Sequence, residues 1–330
     1  MAKKINVLDP TIREVGFINN FNFSLKQVKN LASALEKAGC NWIELGHGNG
    51  LGNTDIAHTH EEYIAAVKYE ITNAKISVFA LSNLCTPDLI KSTADSGLDC
   101  IRIGFVGFDT DFPLIGVHKL VDAAKENDLR VSVNMLESGR YDEADLARIL
   151  KELNTLPIDM LYVVDSAGAM LPNQVAQQVE FICANSNFEV GFHGHMQMGM
   201  ANANSIKAVE SGAKWVDGTM LGAGRGPGNA QTEVLVAILE RLGYETGIDW
   251  LNLSKSAHKI LKPMLPETLP LSSDEIALGY YGIMDFAKPW IVEIAKENNV
   301  DVSKLMEQMD KDKSQYITKD KIIESLKKIQ

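Results

Sequence analysis

The chain has 330 residues, 45% of them hydrophobic, and a formal net charge of −11 at pH 7. This length can bury one large core with an appended segment, and the acidic balance argues against binding nucleic acid or an anionic membrane surface. No stretch is apolar enough to span a membrane or to act as a secretory signal, so a cytoplasmic location is expected.

Short β-rich segments alternate with amphipathic segments over residues 1–247. The predicted strands are Ile5–Asp9, Asn41–Leu45, Lys75–Leu81, Cys100–Gly104, Arg130–Met135, Met160–Asp165, Glu189–His193 and Lys214–Thr219. The predicted helices that follow them are Ser24–Ala38, Glu61–Thr72, Pro87–Ser96, Gly116–Asn127, Asp142–Asn154, Pro172–Asn185, Ala201–Ser211 and Ala230–Leu242. This repeated alternation predicts an α/β fold, a (β/α)8 TIM barrel, rather than an open doubly wound sheet.

Residues at the predicted helix ends support this alternation. Ser24 can cap the first helix, and Pro87 and Pro172 stand where a helix tolerates proline. Gly39 follows the first helix, where glycine suits a left-handed C-terminal residue.

After about residue 247 the alternation stops and only helical segments follow. The predicted tail helices are Trp250–Leu261, Pro289–Asn298, Val302–Met309 and Lys319–Lys328. The sequence therefore predicts a barrel domain over residues 1–247 and a C-terminal helical domain over residues 248–330.

Polar residues collect at the carboxyl ends of the predicted strands, where TIM barrels carry their active sites. We expect these side chains to share one pocket. They are Asp9, Arg13, Glu14, Glu44, His47, Arg102, Asn134, Glu137, Asp165, Ser166, His193 and His195.

His193 and His195 stand two positions apart where a strand ends, so their imidazoles point to the same face. One divalent metal ion could take a nitrogen from each, although a His-Gly-His sequence also occurs in ordinary turns. A second such pair, His58 and His60, precedes a helix and is expected to be solvent-exposed. The glycine-rich segment 222–228 has no P-loop ending and predicts a tight loop that lets Asn229 approach the pocket.

Five segments together resemble the DRE-TIM metallolyases, and within them the 4-hydroxy-2-oxovalerate aldolases. The similar segments are Asp9-Pro-Thr-Ile-Arg-Glu, Ile43-Glu-Leu-Gly-His-Gly-Asn-Gly-Leu, Asp165-Ser-Ala-Gly-Ala-Met, His193-Gly-His and Gly222-Ala-Gly-Arg-Gly-Pro-Gly-Asn-Ala. The resemblance continues past the barrel into Ala277-Leu-Gly-Tyr-Tyr-Gly, which looks like that family's helical C-terminal domain.

The resemblance implies a divalent metal, Mn²⁺ or Mg²⁺, which holds a 2-oxo acid and stabilises its enolate. The implied metal ligands are Glu14, His193 and His195. Arg13 would neutralise the same developing charge, and Ser166 would contact the substrate carboxylate. The alternative for Arg13 is a salt bridge to a barrel carboxylate such as Glu44.

Three positions depart from the aldolase pattern. Glu14 replaces the metal-binding aspartate, Phe17 replaces a catalytic histidine that handles the 4-hydroxyl proton, and Met284 replaces a tyrosine near that histidine. His47 is the first candidate for a replacement base, because the unperturbed pKa of histidine allows proton exchange near neutrality. The alternative is that His47 only hydrogen-bonds loop backbone.

The sequence thus predicts a metal-dependent carbon–carbon lyase, an aldolase acting on a 2-oxo acid through a pyruvate-type enolate. One alternative is a catalytically decayed barrel that serves as a partner or structural subunit. Another is a Claisen-type synthase using an acyl-CoA, although Val15-Gly16-Phe17 lacks the Gly-Glu-Gln usual there. A homodimer is the default expectation, and the resemblance implies an acylating aldehyde dehydrogenase as a partner.

Overall fold

The computed structural model describes residues 3–53, 57–106, 114–266, 271–312 and 317–329, so the outermost residues of both predicted domains lie outside the described residues. Within these ranges the chain forms a closed parallel barrel in which each strand pairs with the next and the last pairs with the first. The barrel strands are β1 (Asn6–Asp9), β2 (Trp42–Leu45), β3 (Lys75–Leu81), β4 (Cys100–Val106), β5 (Arg130–Leu136), β6 (Met160–Asp165), β7 (Glu189–Gly194) and β8 (Trp215–Asp217). The predicted (β/α)8 fold is confirmed.

A helix follows each barrel strand and covers the outside of the sheet. These helices are α1 (Leu25–Lys37), α2 (His60–Glu70), α3 (Pro87–Asp95), α4 (Ile115–Glu126), α5 (Glu143–Leu153), α6 (Pro172–Asn185), α7 (Ala201–Glu210) and α8 (Thr232–Arg241). Ser24 caps α1 in a reciprocal pair of hydrogen bonds with Gln27, and Pro87 and Pro172 open α3 and α6, as predicted.

The tail is helical, but its first helix belongs to the barrel. The tail helices are α9 (Trp250–Ser256), α10 (Ser273–Tyr281), α11 (Lys288–Glu297), α12 (Val302–Lys311) and α13 (Lys319–Lys327). Helix α9 continues into a wider π-helical turn at Ala257–Leu261 and contributes buried residues to the barrel core. A second apolar core joins α10 to α13, so the two cores divide between Leu265 and Ala277 rather than at residue 247. The division into two domains itself stays a prediction.

Alternation along the strands separates two environments in the barrel. On β4, Ile101 and Ile103 pack into the core between the sheet and the helices, whereas Cys100 joins an interior cluster that also contains Tyr162 and Trp215. Side chains on a strand alternate between its faces, so every second residue points into the barrel. Charged side chains therefore also point into the barrel, next to an interior layer that contains aromatic rings. In the described part of the chain, no helix is long and apolar enough to cross a membrane.

Candidate metal centre

The two histidines of β7 and its following turn lie side by side at the carboxyl end of the barrel. His193 and His195 are both buried, and their ring centroids are 5.1 Å apart. His193 Nδ1 donates to Asp217 Oδ2 at 2.9 Å. A carboxylate on one ring nitrogen fixes the tautomer and leaves the other nitrogen, Nε2, available to a ligand.

Glu14 completes the group from the loop after β1, which is separated from β7 only by β8 in the closed barrel. A short helix, Thr11–Val15, follows β1 directly and places Glu14 beside the barrel mouth. One ligand atom from each of Glu14, His193 and His195 can be chosen so that all lie within 4.8 Å of one another. Burial opposes ionisation of Glu14, but the surrounding basic groups, with Arg13 the strongest of them, together outweigh that effect and hold its pKa well below the usual range.

The chemistry of these three residues fits a divalent metal ion. Burial lowers the pKa of His195 well below its ordinary value, so its imidazole stays neutral, the form that ligates metals. Two buried atoms nearby, His195 Nδ1 and Asn229 Oδ1, have no hydrogen-bond partner among the described residues. One carboxylate and two imidazoles are ligand types that Mn²⁺ and similar cations accept.

A line of alternating charges supports the group from inside the barrel. Asp217, which orients His193, also accepts from Arg102 Nη2 at 2.6 Å. Arg102 Nη1 in turn contacts Glu44 Oε2 at 2.8 Å, and Glu44 accepts from Nε of Arg13. Arg13 Nη1 lies 2.7 Å from Oε1 of the candidate ligand Glu14. The alternative interpretation of Arg13 as the partner of Glu44 therefore holds, and it coexists with a place in the cavity wall.

Most of the predicted site residues meet in one cavity of about 410 Å³ at the barrel mouth. Its lining includes the predicted site residues Arg13, Glu14, Ser166, His193 and His195. The Ser166 hydroxyl accepts from the backbone N–H of Glu137 at 2.9 Å, which leaves its own hydrogen free to donate.

Two acidic residues of the predicted pocket hold loops together instead of lining this cavity. Asp9 accepts from the backbone N–H of Thr11 at 2.8 Å and from the Thr232 hydroxyl at 2.9 Å. Asp165 accepts from the N–H groups of Ala169 and Met170 at 2.9 and 3.1 Å. Burial raises the pKa of Asp9 to about 7 and that of Asp165 to about 6.

His47 lies behind the cavity wall rather than among the described residues that line it. Its Nδ1 accepts from the backbone N–H of Asn49 at 3.0 Å, and its ring stacks on Phe21 with centroids 3.4 Å apart. These contacts match the alternative of a loop-supporting histidine, and its role as a base stays a prediction. The expectation that His60 is solvent-exposed is wrong: it is buried, and its Nε2 accepts from the His47 backbone N–H at 3.3 Å.

The two residues, other than Glu14, that differ from the aldolase pattern lie in the cavity lining. Phe17 and Met284 both face it. The Phe17 ring lies over Gly48, where a Cβ atom would come within 2.1 Å of the ring. Glycine at residue 48 therefore leaves the room that the phenylalanine ring occupies.

Three functional contacts were missing from the sequence interpretation. Asp217 orients His193, Asn229 Nδ2 donates to Glu14 Oε2 at 3.3 Å, and Arg225 Nη2 lies 3.3 Å from His195 Nε2. The approach of Asn229 follows the prediction for the glycine-rich loop, but its partner was not foreseen. The signal for Asp217 was an acidic residue at an inward position of an apolar strand, two residues after Trp215.

Arg225 also connects the barrel to the helical tail. Its Nη2 donates to the Ser166 carbonyl oxygen at 3.0 Å, and its Nη1 forms an ion pair with Asp285. The guanidinium carbon lies 5.8 Å from the centre of the Phe17 ring. The tail segment around Asp285 is thereby held over the site.

These features define the class: a parallel (β/α)8 barrel with a buried carboxylate and two imidazoles, suited to a metal ion, at the carboxyl ends of its strands. The chain belongs to the HMGL-like family, whose profile matches residues 4–260.

Two relatives and two solved structures show what the chain is similar to. The chain is 33% identical to 4-hydroxy-2-oxovalerate aldolase 2 of Rhodococcus jostii over 288 residues, 86% of this chain and 83% of that protein. It is 33% identical to the oxaloacetate decarboxylase of Mycobacterium tuberculosis over 309 residues, 92% of this chain and 90% of that protein.

The solved structures share the fold at low sequence identity. The carboxyl transferase domain of Rhizobium etli pyruvate carboxylase, solved with pyruvate, superposes with a TM-score of 0.76 at 16% identity, covering 93% of this chain and 56% of that one. The HMG-CoA lyase of Bacillus subtilis superposes with a TM-score of 0.67 at 18% identity, covering 80% of this chain and 96% of that one.

Proposed function

We propose that the protein is a divalent-metal-dependent carbon–carbon lyase that acts on a 2-oxo acid through a pyruvate-type enolate. The observation that carries this proposal is the convergence of Arg13 with Glu14, His193 and His195 on one cavity. Arg13, together with the cation that Glu14, His193 and His195 would hold, would provide positive charge where the negative charge of an enolate develops.

A divalent cation, for which we propose Mn²⁺ or Mg²⁺, would act there as a Lewis acid toward the 2-oxo group. Arg13 is fixed on two sides, by Glu14 and by Glu44, so its guanidinium needs no rearrangement to meet an oxyanion. Ser166 would donate its hydroxyl hydrogen to the substrate carboxylate, and the acceptance by its oxygen of a hydrogen bond from the Glu137 N–H supports this direction.

Phe17 bears on which bond is cleaved. In a retro-aldol reaction a base must remove the hydroxyl proton, and phenylalanine at residue 17 cannot accept one. Loss of CO₂ from a 3-carboxylated 2-oxo acid needs no such base, because the electron pair of the breaking bond passes directly into the enolate. We therefore keep β-decarboxylation as a second candidate, and the relative named oxaloacetate decarboxylase supports it.

Two further alternatives are weaker. A decayed barrel would not need to keep the ligand residues, Arg13 and their supporting ion pairs together. A Claisen-type synthase would need an acyl-CoA site, for which the sequence around Phe17 offers no support. A homodimer, an acylating aldehyde dehydrogenase partner and a cytoplasmic location stay predictions.

Metal content and enolate formation test the proposal together. Protein loaded with Mn²⁺ is incubated with pyruvate in D₂O and, separately, with oxaloacetate, and NMR follows deuterium at pyruvate C3 and the formation of pyruvate. We expect at least one metal-dependent reaction, its loss in His193→Ala and its retention in His258→Ala, a change at an exposed histidine. A protein that binds no Mn²⁺, Mg²⁺ or Zn²⁺ and catalyses neither reaction would contradict the proposal.

A further inference from the structure

The guanidinium of Arg225 lies beside the candidate metal ligands. Its Nη2 lies 3.3 Å from Nε2 of His195, and its side chain lines the same cavity as Glu14 and His193. Burial opposes ionisation of Glu14, and Arg225 is one of the basic groups, after Arg13 and both histidines, that together outweigh burial and lower the Glu14 pKa. Arg225 therefore acts on two of the three ligand residues, as a bound cation would.

The hydrogen-bonding capacity of His195 limits what can share this place. A neutral imidazole has one donor and one acceptor nitrogen, and a guanidinium only donates. Nε2 of His195 must therefore be the acceptor, and the ring hydrogen belongs to Nδ1, which is buried without a partner among the described residues.

Arg225 and a metal ion exclude each other at His195, whichever nitrogen ligates. A cation on Nε2 would take the lone pair that accepts from Arg225. A cation on Nδ1 would force the ring hydrogen onto Nε2, where it would face the Arg225 N–H, donor against donor. The contact with Arg225 is lost in both cases.

The helical tail holds the other side of the same guanidinium. Nη1 of Arg225 forms an ion pair with Asp285, and both side chains are largely buried. Ile283 and Ala287, two positions to either side of Asp285, are buried in the second apolar core, which fixes the carboxylate to the tail. Gly226 lets it approach the β8 loop, because a Cβ atom there would crowd Asp285 Oδ2 at 3.1 Å.

We propose that Arg225 competes with the metal ion for His195 and that Asp285 of the tail sets the strength of this competition. The ion pair neutralises the guanidinium, so a docked tail favours metal binding. Any change that breaks the pair leaves Arg225 with Glu14 and His195 and lowers metal affinity. By linkage, metal binding stabilises the docked tail by the same factor. This inference rests on the proposed function, since that function places a divalent cation at these ligands.

Calorimetric titration of metal-free protein with Mn²⁺ measures the competition. In Arg225→Gln we expect Mn²⁺ to bind at least about tenfold more tightly, because neither the charged hydrogen bond nor the repulsion opposes it. Arg225→Lys keeps the charge but lacks the rigid fork that contacts His195 and Asp285 together, so its affinity should lie between those of wild type and Arg225→Gln. Arg241→Gln, at an exposed arginine, should bind Mn²⁺ like wild type.

A double-variant cycle tests the part played by the tail. Asp285→Asn leaves the Arg225 charge unbalanced beside the ligands, so Mn²⁺ affinity should fall at least about threefold. In the Arg225→Gln background the same change should alter affinity by less than about twofold, because no guanidinium is left to balance. Glu293→Gln, in an exposed ion pair of the tail, is the control, and circular dichroism checks the fold of each variant.

The outcomes separate this inference from the proposed function. Absence of Mn²⁺ binding in wild type and in Arg225→Gln alike removes the proposed function and the inference with it. Mn²⁺ affinity that is unchanged or lower in both Arg225 variants overturns the inference alone, since a residue that only supports the fold would lower affinity when replaced. Should Arg225→Gln not fold, Arg225→Lys decides by the same criterion. An equal loss from Asp285→Asn in both backgrounds overturns the role of the tail.

Discussion

Glu14 is one methylene longer than aspartate, and the space for its side chain comes from a glycine in the loop after the neighbouring strand β8. A Cβ atom at Gly224 would lie 3.1 Å from Glu14 Oε2 and 2.0 Å from the amide of Asn229. The missing side chain lets both groups occupy the same corner. The longer carboxylate therefore reaches the imidazoles from the short helix Thr11–Val15 without displacing its neighbours.

Glu14→Gln should lower Mn²⁺ affinity by at least about 100-fold, because loss of an ionised ligand costs at least as much as loss of the groups that orient one. Glu14→Asp should retain affinity within about tenfold, since it keeps the charge. Calorimetry measures both, with Glu245→Gln at an exposed glutamate as the control. Equal Mn²⁺ affinity in Glu14→Gln and wild type would show that Glu14 is not a ligand.

Two side chains, His47 and Glu137, are candidates for the residue that transfers the proton. The sequence favours His47, whereas the structure uses its Nδ1 in a loop hydrogen bond. Glu137 lines the cavity, and burial raises the pKa of its carboxyl group, although Arg140 and Arg225 oppose that shift. A raised carboxyl pKa moves the switch from acid to base toward neutrality.

Glu137→Gln should therefore slow pyruvate C3 exchange by about 100-fold or more and remove the rise in rate as pH passes upward through the carboxyl pKa. Oxaloacetate decarboxylation, which needs no base, should change by less than about tenfold. NMR rates from pH 5 to 9 provide the measurement. If His47→Ala instead causes the larger loss of turnover with little change in substrate binding, the prediction from the sequence is correct.

At the scale of elements, the barrel strands determine which charges meet. Glu44, Arg102 and Asp217 occupy inward positions on β2, β4 and β8, and together they connect Arg13 to His193. Alternating hydrophobicity and helix-end residues such as Ser24 made the strands and helices predictable. The sequence also indicated which polar residues end the strands.

The pairings among those residues were not predictable from local pattern. Asp217 and Glu14 are separated by about two hundred positions in the chain, and only barrel closure brings them to one imidazole. The short helix after β1 was missed because Thr11–Val15 is too brief for a periodic signal. Burial of His60 depends on a loop contact with His47 that no spacing rule encodes.

Asp217→Asn should lower Mn²⁺ affinity by about 10- to 100-fold, the usual cost of removing a carboxylate that orients a ligating histidine. It should also lower the free energy of unfolding by about 3–5 kcal/mol, because Arg102 loses one of its two buried partners. Calorimetry and chemical denaturation measure the two effects, with Asp122→Asn at an exposed aspartate as the control. Unchanged metal affinity would contradict a positioning role for Asp217.

At the scale of the whole molecule, the helical tail completes the cavity that the barrel begins. Met284 and Phe286 belong to the tail and line the cavity, and Asp285 between them binds Arg225 of the β8 loop. The sequence predicted a helical tail and a resemblance beyond the barrel. It could not show that the first tail helix packs into the barrel core, because an amphipathic segment does not identify its partner.

Asp285→Asn should loosen the tail over the site. We expect faster backbone hydrogen exchange across Asp285–Ala287 and weaker binding of pyruvate to the Mn²⁺-loaded protein, because Met284 and Phe286, which line the cavity, are no longer held in place. Exchange mass spectrometry and calorimetry provide the readouts. Glu293→Gln, in an exposed ion pair with Lys319, serves as the control, and equal exchange in both variants would show that the Arg225 contact does not hold the segment.

The buried ion pairs also set the order in which ligands can enter. Three carboxylates, Glu14, Glu44 and Asp217, face two guanidiniums, Arg13 and Arg102, so one negative charge remains uncompensated. The Arg225 guanidinium at the cavity rim is paired with the carboxylate of Asp285. An incoming carboxylate anion is repelled until a dication reverses that sign. The cation should then bind before the oxo acid, and each should raise the binding affinity of the other by the same factor, because their binding free energies are linked.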